Sequence, residues 1–163
     1  MRLGFTLLYL WELEAPQIFT SFPRVLGHEP AGVVVEVGQG VQGFKPGDHV
    51  ACDPHGSCGR CYYCRLGRFA LCDQVPALGV RVDGALAEYM SVPALCCYKV
   101  PQTLSFTEAA MLEPLGVGVH AIEISSFKPG DDIVVQGPGP IGLLTTLALR
   151  ASGAGLIVMT GLC

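Results

Sequence analysis

The sequence predicts a mixed chain: a small barrel-like β domain with a metal lobe, followed by the start of an α/β domain. Three observations carry this. Short valine-rich segments are broken by glycine turns between Ala31 and about Val100. Four cysteines cluster between Cys58 and Cys72. A strand–glycine–helix–strand pattern follows Asp131.

The first region runs in short strokes. Ala31 to Val37 is a valine-rich strand candidate ended by Gly38-Gln39-Gly40, and Lys45-Pro46-Gly47-Asp48 is a turn. His49 to Cys52 resumes a strand, and Ala85 to Val92 and Cys96 to Val100 are two more. Strands this short, with turn residues at such regular spacing, suit a small closed β architecture. Thr107 to about Ser126 is a helix candidate, with Thr107 able to cap it and Glu108 placing negative charge in the first turn. Pro114 disfavours helical geometry at Glu113, so a break is expected there. Ile133 to Val135 is a buried strand by type, Leu143 to Ala151 an apolar helical run, and Leu156 to Met159 another strand. Together they make a β-α-β unit. One such unit cannot form a doubly wound sheet, so the second domain is expected to be truncated. The expected boundaries are residues 1–126 and 127–163. No internal repeat or low-complexity tract interrupts the chain.

Composition narrows the function. Of 163 residues, 50% are hydrophobic and 15% charged, which permits a sizeable core and argues against disorder. A net charge of −4 leaves no electrostatic footprint for nucleic acid or an anionic membrane. Met1 to Leu10 is apolar but too short to span a bilayer, and no small-residue cleavage site follows it. Eight cysteines without a secretory signal point to a reducing, cytoplasmic setting, where clustered thiols more often hold metal than form disulfides.

Cys58, Cys61, Cys64 and Cys72 have the spacing C-x2-C-x2-C-x7-C. Four thiolates close a tetrahedral zinc shell and leave no position for water or substrate, so such a site is structural. Gly59 and Gly67 allow tight turns around an ion, and Arg60, Arg65 and Arg68 offset part of its negative charge. Disulfides are one alternative. An iron–sulfur cluster is another, although in ferredoxins the fourth cysteine follows after three residues and precedes proline.

Gly137-Pro138-Gly139-Pro140-Ile141-Gly142 stands between a strand and a helix, the context a dinucleotide loop requires. There the first glycine permits the turn, the second lets the backbone approach a pyrophosphate, and the third allows helix–strand packing. Gly137, Gly139, Pro140, Ile141 and Gly142 are therefore the candidate cofactor-binding residues. Met159 to Cys163, where an acidic ribose ligand is expected, holds no carboxylate. The cofactor reading is NAD, with NADP as the alternative.

Gly27-His28-Glu29-Pro30-Ala31-Gly32 precedes the first strand, and imidazole and carboxylate are both competent zinc ligands. This segment, together with Val37-Gly38 and Phe44-Lys45-Pro46-Gly47-Asp48-His49-Val50, resembles the signature of the zinc-containing medium-chain dehydrogenases. Gly84-Ala85-Leu86-Ala87-Glu88-Tyr89 resembles a strand entry of that family. Glu113-Pro114-Leu115-Gly116-Val117-Gly118-Val119-His120 resembles a helix of its sorbitol and threonine dehydrogenase branch. The likeness runs from about Pro23 to Thr160.

The resemblance implies a GroES-like catalytic domain followed by a Rossmann domain. It implies a second, catalytic zinc near His28, Glu29 and Glu113, and oxidation of a secondary alcohol or polyol with hydride transfer to NAD(P). The small-molecule substrate would be the main partner, and the full-length protein a dimer or tetramer. The family's first catalytic ligand is a cysteine upstream of Gly-His-Glu, and residues 1–22 contain neither cysteine nor histidine. Cys52 is a substitute, though a turn cysteine is more often a buried hydrophobe. The chain alone is thus expected to have little activity. A non-catalytic zinc-stabilised module is the competing reading, and a zinc-free quinone reductase relative a more remote one.

Overall fold

A computed structural model describes residues 23–75 and 77–161, divided into two compact units, Met1–Ala110 and Met111–Cys163. The expected apolar start, Met1 to Leu10, lies outside the described residues.

In the first unit, β1 (Ala31–Val33), β2 (His49–Cys52) and β3 (Cys97–Lys99) form an antiparallel sheet in the order β1-β2-β3. Ala31 faces Ala51, and Cys52 faces Cys97. The central position of β2 explains why Val50, Ala51 and Cys52 are all buried. Leu78, Ala85, Cys96 and Ala109 complete this core, with Leu78 and Cys96 each 1% exposed.

β1 is shorter than the valine run predicts. Val34 still donates to the Asp48 carbonyl (2.9 Å) and accepts from Gly47 N (2.8 Å). Beyond it the partner segment turns away through Gly47, at φ +92°, and no ladder remains. Asp48 holds the turn by accepting from Lys45 N (3.0 Å) and meets Lys99 Nζ at 2.8 Å, which ties the turn to β3. The lysine hydrogen bond holds the Asp48 carboxyl below its ordinary range.

The expected strand Ala85 to Val92 does not form. Its first residues instead brace another segment: Gly84 N donates to Val25 O (2.8 Å), Ala85 N to Gly27 O (2.9 Å) and Leu86 N to Leu26 O (2.9 Å). An alternating apolar stretch thus serves as a brace for the Gly-His-Glu segment.

Among the described residues of the first unit lie two short α-helices: α1 (Tyr62–Arg65) inside the cysteine lobe and α2 (Phe106–Ala110). The cap of α2 is Ser105, not Thr107. Glu108 N donates to Ser105 Oγ (3.2 Å), and Ser105 N donates to Glu108 Oε2 (2.8 Å), a reciprocal capping box. Phe106 stacks on His49 with ring centroids 4.9 Å apart.

The helical run breaks at Met111 rather than at Pro114. A new helix, α3 (Leu112–Ile124), begins there and places Pro114 in its first turn, where a missing N–H costs nothing. The second unit continues with β4 (Ile133–Gln136), α4 (Pro140–Ala151) and β5 (Ile157–Thr160). β4 and β5 pair in parallel, Ile133 opposite Ile157 and Gln136 opposite Thr160, so the expected β-α-β unit is present. Leu144, Ala148 and Leu149 give α4 its buried face. α3 packs on α4 where Gly118 meets the backbone of Thr145; a Cβ at Gly118 would stand 2.8 Å from the Thr145 Cα.

Candidate metal centres and dinucleotide cradle

The cysteine lobe closes on one point. One ligand atom from each of Cys58, Cys61, Cys64 and Cys72 lies within 4.8 Å of the others. Zinc–sulfur bonds of about 2.3 Å define a tetrahedron with edges of about 3.8 Å. The Cys58 and Cys64 sulfurs are 3.9 Å apart, so one edge already has that length. Sulfurs this close leave room for a single ion, not for a cluster of irons.

The backbone is arranged for thiolates. Cys61 N donates to Cys58 Sγ (3.3 Å), Cys58 N to Cys72 Sγ (3.3 Å) and Cys64 N to Cys61 Sγ (3.5 Å). Cys61 also caps α1, which swings Cys64 round to face Cys58. Gly59 (φ +69°) and Gly67 (φ +73°) make the two turns that the sequence assigns to them. Backbone donation from Arg60 and Cys61 lowers the Cys58 thiol to about 6, while burial pushes Cys64 up to about 12. Zinc binding displaces the remaining protons. The Arg60 guanidinium bonds Gln74 Oε1 (3.2 Å).

His28 and Glu29 follow a tightly fixed backbone. Gly27 has φ +94°, and a Cβ there would stand 3.0 Å from Leu86 Cγ. Gly79 and Gly84 both crowd the Gly27 carbonyl, and a Cβ at either would strike its oxygen. His28 is half-buried, and burial lowers its pKa; Glu29 works against this and His55 adds to it. A neutral imidazole is the form a metal takes. Beside the Glu29 carboxylate it supplies a chemically suitable pair of donors within this unit, half of a tetrahedral set.

His55 is a neighbour that the sequence reading missed; it sits 3.4 Å from Asp53 Oδ1. Glu113 occupies the first turn of α3 in the second unit and is half-buried. Cys52 is buried against Cys97, 3.8 Å between sulfurs.

In the second unit the three glycines of the loop have three different reasons to be glycine. Gly137 has φ +101°, and its N–H donates to Thr160 O (2.7 Å), which joins the loop to β5. Gly142 lies against the Gly137 carbonyl, with no space for a Cβ, and faces Val135 Cγ1. Gly139 caps α4 at φ −78°, and a Cβ there would meet nothing within 4 Å. Pro140 follows at the first helical position, where its ring is pre-set for the helix, and Ile141 is exposed. Gly139 thus leaves an open backbone face at a helix N-terminus, which is the shape and polarity a pyrophosphate requires.

The alcohol dehydrogenase GroES-like domain family matches residues 9–102. The chain therefore belongs to that family, the zinc-dependent medium-chain dehydrogenases. A protein of Aspergillus clavatus assigned as D-xylulose reductase A is 46% identical over 137 residues, 83% of this chain and 38% of its own length. The sorbitol dehydrogenase of Bacillus subtilis is 43% identical over 141 residues, 86% of this chain and 40% of its own length. Among solved structures, a protein of Sinorhizobium meliloti assigned as a zinc-binding dehydrogenase, with NADP bound, superposes with a TM-score of 0.81. It is 41% identical and covers 86% of this chain and 42% of its own. The chain thus spans about 40% of the length of the relatives it matches. Among the described residues, no helix is long and apolar enough to cross a membrane.

Proposed function

We propose that this chain carries the catalytic β unit, the structural zinc lobe and the first half of the dinucleotide cradle of a zinc-dependent oxidoreductase. The substrate class is a secondary alcohol, most simply a polyol such as sorbitol, and the cofactor NAD or NADP. The observation that carries this reading is the open backbone face at Gly139. It lies in a chain that also presents the Gly27-His28-Glu29 segment on a braced backbone.

When bound, zinc supplies Lewis acidity toward an alcohol oxygen and the nicotinamide accepts a hydride. The chain's own residues have separate duties. Cys58, Cys61, Cys64 and Cys72 hold a structural zinc that fixes the lobe. His28 and Glu29 are assigned as ligands of the catalytic ion, with Glu113 assigned to the same ion on the family resemblance. The Gly27 brace orients the imidazole, and burial keeps it neutral. Gly137 shapes the phosphate turn, Gly139 admits the pyrophosphate, Pro140 and Ile141 open the helix, and Gly142 seats it on the strand. The protein works in the cytoplasm on a small molecule, as a dimer or tetramer, without nucleic acid or membrane.

Residues 1–22 offer no cysteine or histidine, which favours a second reading: a non-catalytic, zinc-stabilised module. Metal analysis and NADH titration of the purified chain separate the two. About two zinc ions per chain, with NADH binding, supports the oxidoreductase reading. One zinc, lost only when the four cysteines are altered, and no NADH binding supports the module. On either reading, sorbitol with NAD is turned over slowly or not at all by this chain. Brisk turnover would refute the argument that a metal ligand is missing.

A further inference from the structure

The β unit holds a second pair of sulfurs that neither metal group uses. Cys52 ends β2 and Cys97 opens β3, directly opposite in antiparallel register. The flanking hydrogen bonds define the kind of pair this is. Asp53 N donates to Cys96 O (2.8 Å) and Val100 N donates to His49 O (3.0 Å). Bonded and non-bonded pairs alternate along an antiparallel ladder, which makes Cys52–Cys97 a non-hydrogen-bonded pair. At such positions facing Cα atoms are about 4.5 Å apart and side chains approach closest. That separation falls inside the Cα range of disulfides, about 4.4–6.8 Å. The two sulfurs already stand 3.8 Å apart. Rotation of the two side chains suffices to bring them to the bonding distance of about 2.05 Å.

Access is asymmetric. Both residues line a solvent-connected cavity of about 210 Å³, bordered also by Val33, Val35 and Tyr89. Cys52 is buried and Cys97 only half-buried. The two sulfurs share a hydrogen bond in which either can donate, and donation from Cys52 brings the Cys97 thiol down to about 7, the condition for a nucleophilic thiolate. Cys96, next in sequence, is 1% exposed in the core and out of reach of a reagent.

We propose that Cys52 and Cys97 form a peroxide-reactive dithiol that closes to a cross-strand disulfide. The Cys97 thiolate attacks one oxygen of hydrogen peroxide, and the O–O bond breaks. Hydroxide leaves and takes up the proton that Cys97 had released, giving water and a sulfenic acid on Cys97. The Cys52 sulfur then attacks the Cys97 sulfur, the S–O bond breaks, and a second water departs with the Cys52 proton. Two thiols lose two electrons, and one peroxide is reduced to two waters. The new link joins residues 45 positions apart and encloses the whole zinc lobe in one covalent loop.

The test treats the zinc-loaded chain with hydrogen peroxide, blocks remaining thiols with an alkylating reagent and maps cross-links by mass spectrometry. The expected product has lost two hydrogen atoms, contains a Cys52–Cys97 cross-linked peptide and reverts with dithiothreitol, while zinc is retained. Cys52→Ser is expected to leave a Cys97 sulfenic acid that dimedone traps, and Cys97→Ser to slow peroxide consumption at least tenfold. The mapping on the unaltered chain needs no variant, so misfolding of either variant does not remove the test. A cross-link through Cys96, oxidation confined to the lobe cysteines, or an unchanged rate in Cys97→Ser overturns the proposal.

Discussion

Replacing Gly142 by alanine puts a methyl group where the Gly137 carbonyl oxygen already sits. The obstacle is backbone, so no rotamer change relieves it. Overpacking of this kind costs about 1–3 kcal/mol. Alanine's better helix propensity returns about 1 kcal/mol, because Gly142 lies within α4. The net loss is about 0–2 kcal/mol, toward the upper end because the obstacle is backbone. Gly137→Ala fails for another reason: at φ +101° a side chain costs about 1–3 kcal/mol in backbone strain. Gly139→Ala meets neither penalty. Its φ of −78° suits any residue and its surroundings are open, so only the weaker capping of alanine remains, under about 1 kcal/mol.

Urea unfolding followed by circular dichroism ranks the three, and the expected order of damage is Gly142→Ala and Gly137→Ala well ahead of Gly139→Ala. Binding reverses the order. A methyl at Gly139 stands on the open face and removes at least one charge-assisted hydrogen bond to phosphate, worth about 1.5–3 kcal/mol, a loss of roughly tenfold or more in NADH affinity. Equal destabilisation by all three substitutions would refute the assignment of separate roles. Unaltered NADH affinity in a well-folded Gly139→Ala would refute the cradle.

Three further outcomes are expected. Cys61→Ser removes one of four zinc thiolates while leaving a hydroxyl able to cap α1, so the damage falls on the metal. Outer-shell changes alone cost 10- to 100-fold in metal affinity, so a loss above about 100-fold with reduced folded yield is expected; unchanged zinc content and melting would contradict the lobe. Gly116→Ala, where a Cβ has open space, is expected to stabilise α3 by about 1 kcal/mol, whereas Gly118→Ala presses on the Thr145 backbone and is expected to destabilise; thermal melts of the pair check this. Asp48 has a folded-state pKa below its unfolded value of about 3.9, so its contribution is full above that value and fades as pH falls through the folded pKa. The stability gap between the unaltered chain and Asp48→Asn should therefore narrow below about pH 4; a gap constant from pH 6 to pH 2 would disprove the Lys99 pairing as its source.

What the sequence revealed was local, and what it concealed was register. The cysteine spacing, the Gly137–Gly142 loop and the Gly27-His28-Glu29 segment are each read within a few residues; the four cysteines come together and the loop stands between β4 and α4. Ala85 to Val92 alternates like a strand, but hydrogen bonds from Gly84, Ala85 and Leu86 to residues 25–27 use it as a brace. The Ser105–Glu108 capping box is written in the sequence as Ser-x-x-Glu, and it starts the helix two residues before Thr107. Pro114 signalled an interruption correctly, yet the chain absorbs proline best in a first turn, which moves the break back to Met111. The facing of Cys52 and Cys97, and the closeness of His55 to His28, depend on pairing between distant segments and left no mark in either segment alone.

The mounting of His28 has a mechanical consequence. Its anchor is three main-chain segments in close contact at Gly27, Gly79 and Gly84, with the Leu86 side chain against Gly27. Backbone packed this tightly passes a displacement on rather than absorbing it. One added carbon at Gly79 or Gly84 runs into the Gly27 carbonyl, and the peptide it displaces is the one that leads into the histidine.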